Sequence, residues 1–251
     1  APEAGQVPLA IDFLFADAAD SDGTANTADT TPPVTTALNK LDGFSTVAPL
    51  YIEFSADLDP STVVAGQSVF LVKLRNGVDD PSIDALNIDT ILASNPTNPF
   101  SPKPITPASY EARYITMDDG RTPAIQILLK EPLEPKTKYL VVLTDGIKGT
   151  NGETIGQSTT YAHAIGSDTI VNPDLAPVRG ALQGWQQLAQ GFLASGTPLV
   201  ANAKGKAVFN YAFTTGGTDD VLKAMAAPGT FLTSQIPTYM HAEGTIKGAD
   251  E

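Results

Sequence analysis

The chain contains no cysteine. Disulfide frameworks, thiolate zinc ribbons and cysteine nucleophiles are therefore excluded, while the compartment is left open. Histidine is nearly as scarce: His163 and His241 are the two imidazoles in 251 residues, and no third ligand at a zinc spacing accompanies them. Basic residues are also few. Fifteen Lys and Arg stand against 28 Asp and Glu, a formal net charge of −13, so a nucleic-acid partner, whose phosphates require clustered cations, is not expected. The same balance argues against simple electrostatic docking on anionic lipid. No apolar run reaches the roughly 18 residues of a membrane-spanning helix, so no transmembrane segment is read. No G-x-S-x-G occurs, which removes the strained strand-to-helix elbow of a serine hydrolase. The glycines at 146, 149 and 152 follow a strand pattern but lack the Lys-Ser or Lys-Thr of a phosphate-binding loop.

Proline and glycine are plentiful, 20 and 21 residues, and favour a mainly β chain of many turns. The organising stretch is Ala124 to Gly152. Ile125, Ile127 and Leu129 alternate with Gln126 and Leu128, and Tyr139, Val141 and Leu143 with Leu140 and Val142. Each segment has the period of two that a sheet requires, with apolar residues on both faces. Pro132 and Pro135 break the pattern between them, and Asp145-Gly146 and Asn151-Gly152 mark tight turns after it. The stretch is expected to be a hairpin at a β-sandwich edge. Further strands are expected at Leu50–Phe54, Val69–Leu74, Tyr110–Met117 and Val208–Thr214. The second of these is nearly continuous in apolar character and so should be covered on both faces. Turns are expected at Asp59-Pro60 and Asp118-Asp119-Gly120.

Residues 1–46 read as an N-terminal arm docked on the sandwich through Phe13 and Phe15. Asp17, Asp20 and Asp22 precede Gly23 there, and clustered oxygen donors of this kind bind hard cations. The spacing does not fit an EF-hand loop, so a solvated acidic loop is preferred and no metal or other cofactor is assigned. Residues 47–217 read as an Ig-like β-sandwich with a helical insertion at about 174–196, before the last strand. In that insertion Val178, Ala181, Leu182, Trp185, Leu188, Ala189 and Phe192 recur at spacings of three and four, one stripe of a helix from about Pro177 to Leu193. Trp185 and Phe192 are its expected packing or interface residues. The opposite face is expected to carry Gln183, Gln186, Gln187 and Gln190. Thr218 can cap a short helix through Val221, Leu222 and Met225, and residues 218–251 read as that helix followed by a linker. The long connection 79–109, with its six prolines, reads as a surface crossover. The absence of an initial methionine suggests a trimmed product whose targeting segment lies upstream.

Candidate chemistry is thin. His163, in TYAHAIG, and His241 have no motif that would pair them with a nucleophile. The carboxylate pairs Asp79-Asp80 and Asp118-Asp119 sit beside turn residues, where Asp is common for backbone reasons. No catalytic residue and no cofactor-binding residue is assigned.

LYIEFSADLDPSTV (50–63), KEPLEPKTKYLVVLTDGIKGTNGE (130–153) and YAFTT (211–215) resemble bacterial Ig-like domains of the SbsA type. The order DFLF…DGT, ALNKLDGFSTVAPLYIEF, YLVVLTDGIKGTNG, VRGALQGWQQLA and YAFTT resembles the N-terminal domain of the bacterial virulence-factor lipases, the Pla-1/cef extracellular lipase family. The resemblance covers nearly the whole chain. It implies a non-catalytic accessory domain of a secreted or outer-membrane lipase or lysophospholipase of a Gram-negative bacterium. The implied partner is a C-terminal α/β-hydrolase domain of the same polypeptide, beyond residue 251, which would carry the elbow and meet the lipid substrate. A lipidated cysteine, where the family has one, is absent here. Two other readings stay open: an independent surface module that binds glycan or host protein through 79–109, and a hydrolase that uses His163 or His241.

Overall fold

The computed structural model describes residues 33, 36–37, 41–75, 99–101, 103–167, 176–217, 225–227 and 229, with the backbone alone for 176–178. Six strands fall within them: β1 Leu50–Glu53, β2 Val69–Lys73, β3 Tyr110–Met117, β4 Thr122–Leu129, β5 Lys138–Thr144 and β6 Ala207–Thr214. Two helices are α1, Thr159–Ile165, and α2, Ala176–Leu193. The strands form two three-stranded antiparallel sheets, of order β1-β4-β3 and β2-β5-β6. Alternate residues of both sheets meet in one buried cluster. Leu50, Ile52, Ile125 and Ile127 face Val69, Leu71, Val141, Leu143 and Phe213 across it. Removing each large side chain from water contributes roughly 1.5–3 kcal/mol, which is what holds the two layers together. Tyr110 adds a polar stitch between them: its hydroxyl donates to the Val69 carbonyl at 3.1 Å and accepts from the Leu71 amide at 3.3 Å.

The 124–152 stretch is not a hairpin, and it is not an edge. β4 is the central strand of one sheet and β5 the central strand of the other, so the corner between Leu129 and Lys138 crosses from layer to layer. Apolar residues on both faces were the sign of a central strand. The period of two says which way a side chain points and not which strand lies beside it. Pro132 and Pro135 cannot extend a ladder, Leu133 anchors the corner at 6 % exposure, and its amide donates to the Thr46 carbonyl at 2.8 Å. The hairpin in this region is β3–β4. Asp118, Asp119 and Gly120 there have φ of 52°, 55° and 86°, and Asp118 Oδ2 accepts from the Thr122 hydroxyl at 2.8 Å. Asp tolerates the left-handed region better than most side chains, so this turn follows from its sequence. The expected turn at Asp59-Pro60 is also present, with Asp59 capping a 3-10 turn over Pro60–Thr62.

The outer face of β2-β5-β6 is covered by α2. Trp185, Leu188, Ala189 and Phe192 are buried against Phe70, Val72, Leu140 and Val142, which explains why every residue of β2 and β5 is buried. The helix stripe falls as the three-and-four spacing predicts. α1 was not expected: TTYAHAI is short and has little apolar periodicity. Its start is nonetheless marked by Ser158, whose hydroxyl accepts from the Tyr161 amide at 3.1 Å.

Candidate functional site

The most elaborated chemistry among the described residues lies between α2 and the sheet it covers. Trp185 and Phe192 come together there. Phe192 meets Phe70 edge-on at 5.7 Å and Phe100 at 5.5 Å. The ammonium of Lys138, fully buried at the start of β5, stands 5.6 Å from the centre of the Trp185 ring, within the range where the ring's negative face attracts a cation. The expected solvent face of glutamines is only partly one. Gln187 is exposed, but Gln183 donates to the carbonyls of Ile165 and Gly166 at 3.0 and 3.2 Å. Gln186 and Gln190 both donate to the Ala207 carbonyl, at 3.0 and 3.1 Å. Three long amides thus tie α2 to the end of α1 and to the first residue of β6. A helical wheel separates apolar from polar residues, but it cannot show that the flank of the polar side meets backbone.

A second polar group lies under the same helix. Asn210, 1 % exposed in mid-strand, donates to the Tyr161 hydroxyl at 3.0 Å and to Gln186 Oε1. Its own amide oxygen is buried without a hydrogen-bond partner among the described residues. Burial pushes the Tyr161 phenol up to about 12. Neither Lys138 nor Asn210 was singled out by sequence reasoning. The available signal was a polar residue within an otherwise apolar strand pattern, on the side later covered by α2.

These groups stabilise a junction and leave little space for a ligand. The cavity bounded by Phe70, Val72, Pro104, Phe192 and Leu199 has a volume of about 10 Å³, close to what one water needs and far below an acyl chain. His163 lies on the exposed side of α1, and its carbonyl accepts from Arg179 Nη2 at 2.8 Å. Among the described residues no group of three or more His, Asp or Glu could hold a metal ion, and no helix is long and apolar enough to cross a membrane. Phe13, Phe15, Asp17, Asp20, Asp22, His241, the 79–98 part of the long connection and the proposed Thr218 cap lie outside the described residues.

A family model described as bacterial virulence factor lipase N-terminal matches residues 8–236. No curated protein matches the chain.

Proposed function

Because the chain belongs to the bacterial virulence factor lipase N-terminal family, we propose that it is the non-catalytic N-terminal accessory domain of a secreted or outer-surface lipase of a Gram-negative bacterium. It is an Ig-like β-sandwich that positions or stabilises a C-terminal α/β-hydrolase domain acting on lipid esters. The family match over residues 8–236 carries this reading. The packing supports it: the inner faces of both sheets and the outer face of β2-β5-β6 are occupied by the chain's own side chains, and the cavity between β2, Pro104 and Phe192 is too small for an acyl group. A domain whose apolar surface is spent on its own stability suits a scaffold better than a lipid-binding pocket. The test is ester hydrolysis, with short-chain and long-chain acyl esters, by the 251-residue chain beside the full-length gene product. Activity confined to the full-length product is the expected result. Hydrolysis by the 251-residue chain itself, lost on replacing His163 and His241 together, would overturn the reading.

A further inference from the structure

Three stretches distant in sequence meet where the backbone leaves β6. The Asp42 carboxylate accepts from the Lys136 ammonium at 2.5 Å and, through the same Oδ2, from the Gly217 amide at 3.1 Å. The Phe44 amide donates to the Thr214 carbonyl at 2.8 Å and Gly216 donates back to the Phe44 carbonyl at 2.9 Å, so Phe44 and Thr215 pair as a parallel bridge. Thr215, fully buried, donates its amide to the Thr137 carbonyl at 3.0 Å. Its hydroxyl donates to the Glu134 carbonyl at 2.6 Å and accepts from the Thr137 amide at 3.0 Å. At Gly43, with φ of +149°, a Cβ would lie 2.4 Å from the Gly216 nitrogen. The two backbones approach more closely than any side chain would allow.

These ties act beyond the sheet. The β5–β6 ladder ends at the pair Lys138↔Thr214, and β6 is already held along its length. Thr215, Gly216 and Gly217 are held instead by Asp42, Phe44, Glu134 and Thr137. Burial alone would raise the Asp42 carboxyl, but the hydrogen bond and charge of Lys136 and the Gly217 amide outweigh it and hold the group below its ordinary value. We propose that the Asp42–Gly43–Phe44 segment is a clasp that fixes the backbone from the end of β6 to Gly217, and that this fixed end orients the hydrolase domain placed beyond residue 251. The second half of the statement rests on the accessory-domain reading; the first half stands on the contacts alone.

The test has two arms. In the 251-residue chain, amide hydrogen exchange is followed at Gly216, Gly217 and, as a reference in the core, Val141. Asp42→Ala removes the acceptor for Gly217 and the partner of Lys136, while Gly43→Ala wedges the two backbones apart. Exchange at Gly216 and Gly217 should accelerate roughly tenfold in both variants with Val141 unchanged, since local openings report local contacts. Asp42→Asn, which keeps an acceptor oxygen, should fall between. Unchanged exchange at Gly217, or equal acceleration at Val141, overturns the clasp whatever the protein does. In the full-length product, Asp42→Ala should lower kcat/KM severalfold for a long-chain ester presented in micelles and leave a water-soluble short-chain ester unaffected. A soluble substrate reaches the hydrolase in any orientation and an interfacial one does not. Faster exchange with both activities unchanged would make the clasp a local brace and overturn its orienting role. A full-length product without ester hydrolysis would overturn the accessory reading, and the orienting role with it.

Discussion

Replacing Phe192 by alanine tests whether α2 is a third packed layer or a loosely held cover. The ring is 4 % exposed and sits edge-on to Phe70 and Phe100 at 5.7 and 5.5 Å. Removing a buried phenylalanine ring usually costs about 3–5 kcal/mol, part of it the lost transfer energy and part the void left behind. The void should persist here. Phe70 and Val72 are fixed in β2, and a gap of about 10 Å³ already adjoins the ring. For a chain of this size the loss corresponds to a fall in Tm of roughly 6–20 °C. Urea denaturation followed by circular dichroism would measure it, with the m-value checked to remain constant. Gln187→Ala, an exposed change on the same helix, should stay within about 0.5 kcal/mol. A double-mutant cycle with Phe100→Ala should show coupling of about 0.5–1.5 kcal/mol, the usual contribution of an edge-on aromatic pair. A loss below about 1 kcal/mol for Phe192→Ala at constant m, with no coupling to Phe100, would refute the argument. α2 would then add little to the stability of the sheet it covers.

Two further outcomes follow from other parts of the fold. Burial pushes the phenols of Tyr110 and Tyr161 up to about 12, and raises those of Tyr139 and Tyr211 as well. These four groups should stay protonated in the folded chain while ionising in the unfolded one, so their contribution to stability should be constant below about pH 10 and be lost as pH rises above it. Phenolate absorbance and circular dichroism recorded together on an alkaline titration should show the last phenols ionising as the fold is lost, and ionisation of all of them within an intact fold would contradict this. Gly205 has φ of +85°, and a Cβ there would lie 1.8 Å from Asp145 Oδ1, the atom that accepts from the Lys206 amide at 2.7 Å. Gly205→Ala should therefore cost roughly 2–3 kcal/mol, the left-handed backbone penalty plus a displaced hydrogen bond. Gly152→Ala, at φ of +81° with open space around it, should cost only about 1–2 kcal/mol; equal losses in thermal melts would show that the contact with Asp145 is unimportant.

Most signals whose cause is local were legible in the sequence, the short helix α1 with its Ser158 cap being the exception. The Asp118-Asp119-Gly120 turn, the Asp59-Pro60 turn, the period-two strands and the α2 stripe each depend on residues within a few positions of one another. Apart from α1, what escaped the sequence depends on distant partners. Ile125 and Val141 have the same alternation whether their strands pair with each other or with strands elsewhere, so β4 and β5 could not be assigned to separate sheets from periodicity. Gln186 and Gln190 look like a solvated face until the Ala207 carbonyl is placed beneath them. Lys138 looks like a polar strand end until Trp185 lies over it. Asp42-Gly43 has the composition of an ordinary turn, and its φ of +149° favours glycine locally, but the close passage of Gly216, which also excludes a side chain there, has no local signal. This last case sharpens the test of the clasp. If Gly43 served only a local turn, the strain of Gly43→Ala would be felt at Asp42 and Phe44 and would leave the Gly217 amide protected. Because the Cβ would instead meet the backbone at Thr215 and Gly216, exchange should accelerate at residues more than 170 positions away in sequence, where no turn propensity can reach.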